Sequence, residues 1–228
     1  MTEGQPGEMT ASTFQPTDAP ALRIGQRAPN FRARSTRGPI ELAEFRGKWV
    51  VLFSHPADFT PVCTSEFVAL ARAEPRFAAL DCQLLALSVD SLFSHLAWIR
   101  MIHDRFNVRV DFPIIEDPTL EIARAYGMIG ADSPDAASVR ATYFLDPDGA
   151  LRASTCYPSE IGRSVDEMVR ILAALRKTDK GAVLTPADWQ DGDDLLRAPL
   201  HTIDDVLASE TASDWFYATV PDAEKAGK

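Results

Sequence analysis

Hydrophobic and polar positions repeat along this chain in two different periods. Residues 48–54 hold Trp49, Val50, Val51, Leu52 and Phe53 in succession, a short apolar, β-branched run that predicts a buried strand. Residues 64–80 then place Phe67, Leu70, Ala71, Phe77 and Leu80 at helical intervals, and Pro75 is expected to end or kink that helix. A second apolar run over 83–89 predicts another strand. Leu92, Leu96, Ile99 and Ile102 recur on one face of a predicted helix over 92–106, and a short third helix over 119–126 stops at Gly127. Residues 140–146 and 151–157 read as two strands joined by the turn Asp146-Pro147-Asp148-Gly149, a β-hairpin. An amphipathic helix follows over 164–176, with Ser164 as its N-cap and Glu167 three residues on. Strands alternating with helices and closing on a hairpin imply an α/β fold around a sheet of mixed strand direction.

After Lys177 the pattern loosens into polar, turn-rich segments such as Gln190-Asp191-Gly192-Asp193, with at best a short helix over 204–209. Residues 1–20 are rich in Thr, Ser, Pro, Gly and Gln and lack the basic start and apolar centre of a signal peptide, so they read as a mobile leader. The expected organisation is a leader (1–20), a body (21–177) and a small C-terminal extension (178–228). The formal net charge of −10 is unevenly spread. The extension holds 11 acids and 4 bases, net −7, and the first 177 residues hold 22 and 19, net −3. This balance argues against a nucleic-acid partner but leaves room for a local cationic pocket in the body. No apolar run approaches the roughly 18 residues of a membrane helix. Three cysteines do not make a disulfide scaffold, and their odd number leaves at least one free or paired between chains. A cytoplasmic protein with reduced thiols is expected.

The segment that carries chemistry is His55-Pro56-Ala57-Asp58-Phe59-Thr60-Pro61-Val62-Cys63-Thr64-Ser65-Glu66-Phe67, between the first strand and the first long helix. Pro61 suits a first helical turn, where its missing N–H is not needed. Cys63 then lies in that turn, where unpaired N–H groups and the helix dipole favour thiolate over thiol. Thr60 is placed to hydrogen-bond the sulfur or an incoming ligand. Without more, a lone helical cysteine is more often a small buried hydrophobe.

The string HPADFTPVCTSEF resembles the active-site loop of the peroxiredoxins, whose signature is Pro, three residues, Thr or Ser, two residues, then the reactive Cys; Pro56, Thr60 and Cys63 fill it. The full string is similar to the one-cysteine subgroup. So are Ala86-Leu87-Ser88-Val89-Asp90-Ser91, Tyr157-Pro158 with Gly162-Arg163, and Thr185-Pro186-Ala187-Asp188-Trp189. The resemblance implies a thioredoxin-like fold over 21–177, with 178–228 packing on a second subunit in a homodimer that can assemble further. It implies a thiol-dependent peroxidase in which Cys63 attacks a hydroperoxide and becomes a sulfenic acid. Thr60 would hydrogen-bond the peroxide and Pro56 would shield the sulfur. Arg140, opening its strand, and Arg163 would stabilise the negative charge, with Glu66 and His55 orienting these groups. Arg140 also needs an anionic partner if its strand is buried. Arg163 could equally be a solvated helix-start residue, His55 a core histidine, and Glu66 a helix-dipole partner.

The remaining cysteines bear on the subtype. Nothing after Cys156 is a cysteine, so the tail cannot supply a resolving thiol. Cys82 is separated from Cys63 by a helix spanning roughly 20 Å. Cys156 lies in the apolar run 153–157 and is expected to be buried. The reading is one catalytic cysteine re-reduced by an external thiol of thioredoxin, glutaredoxin or glutathione type, with no cofactor. The stretch Arg46-Gly47-Lys48-Trp49-Val50 has Lys48 where some relatives carry the serine of a phospholipase-type Gly-x-Ser-x-Gly motif, so that activity is not expected. There is no Cys-x-x-Cys, and His55, His95, His103 and His201 show no metal-ligand spacing. The alternatives are a peroxide sensor or holdase oxidised at Cys63 without turnover, and a relative with an inactive site.

Overall fold

The computed structural model describes residues 22–129, 139–179, 181, 183–209 and 214–222; the leader expected over 1–20 lies outside them. The central strand β3 (Trp49–Ser54) is buried along its whole length, as its uninterrupted apolar run requires. The loop after it enters α1 (Pro61–Ala79), which returns through β4 (Cys82–Ser88) parallel to β3. A second crossover, α2 (Leu92–Phe106), leads to β5 (Ile114–Glu116), parallel to β4. After α3 (Glu121–Ala125), the hairpin β6 (Arg140–Leu145) and β7 (Leu151–Tyr157) adds antiparallel strands on the other side of β3. With β1 (Arg32–Ser35) and β2 (Gly38–Glu41), the seven strands run in the order β2-β1-β5-β4-β3-β6-β7. In the hairpin turn Gly149 has a φ of +71°, and a Cβ there would collide with the Arg46 guanidinium.

The strand period of two sorts the core onto two faces. Val51, Phe53, Leu84, Ala86, Ile114 and Phe144 meet Phe67 and Phe77 of α1, Trp98 and Ile102 of α2, and Leu172 of α4 (Val165–Thr178). Val50, Leu52, Leu85, Leu87, Ile115 and Tyr143 face the opposite way, toward Ile122 and Ala123 of α3. Ser164 caps α4 as the sequence predicts, accepting from the Glu167 N–H.

Four expectations change. Pro75 does not end α1, which runs on to Ala79; the lost backbone bond is offset by Phe77 and Leu80 entering the core. The buried face of α2 is His95, Trp98 and Ile102, and Leu96 is 44% exposed. Cys156 is exposed rather than buried, because β7 is the edge strand and Ser154 and Cys156 alternate onto an uncovered face. The polar stretch after Lys177 contains a three-stranded antiparallel sheet, β8 (Val183–Leu184), β9 (Leu195–Arg197) and β10 (Thr219–Val220), with α5 (Ile203–Leu207) between the last two. Trp189 joins this sheet to α4 through Ala173 and Leu195. Among the described residues no helix is long and apolar enough to cross a membrane.

Candidate active site

The end of β3, the start of α1, the first residue of β6 and the loop before α4 meet at one place. Ser54 ties the first to the third: its Oγ donates to Val139 O at 2.5 Å and accepts from the Ala141 N–H at 3.1 Å. Arg140, between those residues, is thereby fixed opposite the loop leaving β3.

Pro61 occupies the first helical position of α1 after Thr60, which serves as the N-cap residue, so Cys63 sits in the first turn as the sequence predicts. Its side chain is fully buried. Arg140 Nη1 lies 3.3 Å from Cys63 Sγ and donates to Glu66 Oε2 at 2.8 Å. Arg140 Nε and Nη2 both donate to Ser159 O, at 3.0 and 2.7 Å, so the guanidinium is held on two sides. Arg163, 7% exposed, is no solvated helix-start residue. Its backbone N–H and Nε donate to Glu66 Oε1 at 2.7 and 2.9 Å, and its Nη2 to Oε2 at 2.7 Å. Nη1 donates to Ala141 O at 3.0 Å, and the guanidinium lies over the Phe53 ring, 5.1 Å from its centroid.

Glu66 is therefore the hub of a buried cluster, one turn beyond the helix-dipole position. Burial opposes its ionisation, but the hydrogen bonds and charge of Arg163, with the charge of Arg140, outweigh that and hold its carboxyl below the usual range. Glu66, Arg140 and Arg163 sum to +1, and a thiolate at Cys63 brings the buried cluster to zero. The cluster therefore leaves one positive charge unbalanced among these side chains, with the Arg140 guanidinium in contact with the sulfur.

Two further residues of the predicted set make hydrogen bonds within the loop. Thr60 Oγ1 donates to Ala57 O at 3.0 Å, so the hydroxyl organises the loop, and the contact to the sulfur comes from Arg140. His55 does not reach into the arginine cluster through its Nε2, which pairs with Asp58 Oδ1 at 2.9 Å. Pro56 lies half-buried in the same loop.

The sequence reading missed Asp58 and His95. His95 Nδ1 pairs with the other Asp58 oxygen, at 2.7 Å, and all three side chains are buried. A carboxylate only accepts, so both nitrogens carry hydrogen. Burial raises the Asp58 carboxyl, but the hydrogen bonds from His55 and His95 outweigh it and hold it well below the usual range. Burial lowers His55 below the ordinary imidazole value, with Asp58 pulling the other way. Two of the four histidines, His55 and His95, thus converge despite their separation in the chain, and with Asp58 their ligand atoms lie within 4.8 Å of one another, near enough to bind a metal ion. Both carboxylate oxygens already take N–H hydrogen bonds at ordinary lengths. The His55-x-x-Asp58 spacing was visible in the loop; nothing local pointed to His95.

Comparison with known proteins agrees with this arrangement. The AhpC/TSA family model matches residues 24–154. A protein named peroxiredoxin 2 from Caldanaerobacter subterraneus subsp. tengcongensis is 45% identical over 200 residues, 85% of this chain and 90% of its own. The structure of a yeast mitochondrial 1-Cys peroxiredoxin, studied for thiol resolution via glutathione/thioredoxin systems, superposes with a TM-score of 0.78 at 36% identity, covering 88% of this chain and 100% of that one. The reduced 2-Cys peroxiredoxin of Plasmodium vivax gives 0.72 at 31% identity, covering 82% and 98%. With its α/β sheet flanked by helices, the chain belongs to the AhpC/TSA family: it is a peroxiredoxin, a thiol-dependent peroxidase.

Proposed function

We propose that this peroxidase works by a one-cysteine cycle on Cys63. The Cys63 thiolate attacks one oxygen of a hydroperoxide, an S–O bond forms and the O–O bond breaks. The sulfur becomes a sulfenic acid, and the leaving oxygen takes up a proton to depart as water or an alcohol. An external thiol then attacks the sulfenic sulfur, expelling water and leaving a mixed disulfide. A second thiol equivalent releases Cys63 and the oxidised reductant. The observation that carries this reading is Arg140 Nη1, 3.3 Å from the buried Sγ and fixed by Glu66 and Ser159, which provides a preformed positive fork for the thiolate and for the charge developing on the peroxide. In this cycle Thr60 and Pro56 shape the peroxide pocket, and Glu66 and Arg163 hold Arg140 in place.

The positions of the other cysteines support an external reductant. Cys82 lies beyond the far end of α1, about 24 Å of helix from Cys63 at 1.5 Å per residue. Cys156 pairs directly with Ala141, and directly opposed residues share a sheet face. Ala141 belongs to the face opposite the one carrying Cys63. The external thiol would be of the thioredoxin, glutaredoxin or glutathione type. The homodimer is part of the same proposal, and light scattering of the full chain reads it.

The test is turnover of hydrogen peroxide with dithiothreitol, glutathione or thioredoxin as reductant, and mass spectrometry after limiting peroxide. The cycle predicts turnover lost in Cys63→Ser, and a sulfenic acid or mixed disulfide at Cys63. A bridge from Cys63 to Cys82 or Cys156 would refute the external-thiol step. One stoichiometric oxidation without turnover would favour a sensor.

A further inference from the structure

The buried polar groups that the peroxide chemistry leaves unused are concentrated beneath the loop between β3 and α1. Asp58 anchors that loop three ways. Its oxygens take His55 Nε2 and His95 Nδ1, and its backbone N–H donates to Asp90 Oδ2 at 2.8 Å. Asp90 is held in turn by Ser88 Oγ at 3.0 Å. His95 comes from α2, 37 residues away in the chain. Its Nε2 is buried with no hydrogen-bond partner among the described residues, and its hydrogen bond runs from Nδ1 to Asp58. Burying two imidazoles and a carboxylate around one point is costly where a polar atom stays unpaired, as His95 Nε2 does among the described residues.

The residue that follows shows what is fixed. Phe59 has a φ of +57°, a left-handed conformation that persists in a bulky residue only where its surroundings over-determine it. Asp58 clamps one side of it, and Thr60 Oγ1, bonded to Ala57 O, clamps the other. The chain then enters the turn that carries Cys63. We propose that Asp58, gripped from α2 by His95, is a positioning residue that latches this loop and keeps Cys63 Sγ against Arg140 for the peroxide step. The inference rests on the peroxide-then-thiol cycle above. Arg140 touches the sulfur that attacks the peroxide, so a displaced loop costs the peroxide step this contact, whereas in the thiol step the attacking sulfur is that of the reductant. The latch therefore acts unequally on the two half-reactions.

The experiment uses the full chain in stopped flow, with oxidation by hydrogen peroxide and reduction of pre-oxidised protein by dithiothreitol measured separately. In His95→Asn the amide N–H falls where Nδ1 stood; in His95→Gln it does not. His95→Gln is expected to slow the peroxide step about tenfold to 100-fold, the scale of misplacing a reacting atom by about 1 Å. Its thiol step stays unchanged or quickens, and His95→Asn returns the peroxide step close to the parent rate. Parallel slowing of both steps in both variants would mean lost packing alone and would overturn the latch, as would parent rates in both. A parent chain inert to peroxide would remove the peroxidase cycle and the latch together, which separates that failure from failure of the latch alone. If His95→Gln does not fold, Asp90→Ala releases the backbone anchor from a half-buried position. The same split, in weaker form, supports the latch, and its absence overturns it.

Discussion

Arg140→Met tests the charge arrangement at the sulfur most directly. The substitution keeps an unbranched side chain in the buried slot and removes the fork that touches Sγ, Glu66 and Ser159. Two unit charges 3.3 Å apart interact by about 5 kcal/mol at an effective dielectric of about 20, and ionised Glu66, also paired to Arg140 Nη1, cancels part of this. The remainder is comparable to the loss of one preorganised donor to a developing anion, about 2.7–4 kcal/mol or on the order of 100- to 1,000-fold in rate. The second-order rate constant for oxidation by hydrogen peroxide, read in stopped flow, is expected to fall by that factor. Glu66 keeps the three bonds from Arg163, so the fold survives, and thermal unfolding checks this. Arg140→Lys restores charge without the fork and should recover only part of the rate. A correctly folded Arg140→Met protein that reacts at nearly the parent rate would refute the reasoning, because among the described residues no other guanidinium meets the sulfur at hydrogen-bond distance.

Glu66→Gln leaves two buried guanidinium groups facing a neutral amide and should cost about 3–5 kcal/mol of stability, measured by urea unfolding. The Cys82 thiol is pushed up to about 12 by burial, so iodoacetamide at neutral pH should label exposed Cys156 and spare Cys82 until the chain is unfolded, as peptide mass spectrometry would show. Stability should also fall with acid in two stages. His55, Asp58 and Glu66 all have lowered values in the fold, so the unfolded chain binds more protons in each window. The His55 contribution is complete above about pH 6.5 and declines below it; those of the two carboxylates are complete above about pH 4–5 and are lost below. Equilibrium unfolding across pH 3–8 should therefore decline gently first and steeply later, and a flat profile would refute the assignment.

What the sequence disclosed and what it withheld follow from the range of each signal. The strand at 49–54, the capped helix after Ser164 and the Pro-Asp-Gly hairpin are local patterns, and each stands within a few residues of its predicted place. The strands of two or three residues after Lys177 are too short for alternation to show, so that region read as loop. The helix over 92–106 is the instructive error. Counting apolar residues favours a stripe through Leu92, Leu96, Ile99 and Ile102; Ile102 is buried as expected, but the rest of the buried face lies one residue away, at His95 and Trp98. A polar ring on the inner face makes sense only once its partner is known, and that partner, Asp58, lies 37 residues earlier on a loop. The same holds for Glu66. Its place in the helix is local, but its function as the anchor of Arg140 and Arg163 depends on contacts 74 and 97 residues away. Local pattern thus pointed to Cys63, while the groups packed around it are joined only by the completed sheet. Substitutions at those distant partners should therefore alter how fast Cys63 reacts while leaving the signature around it untouched.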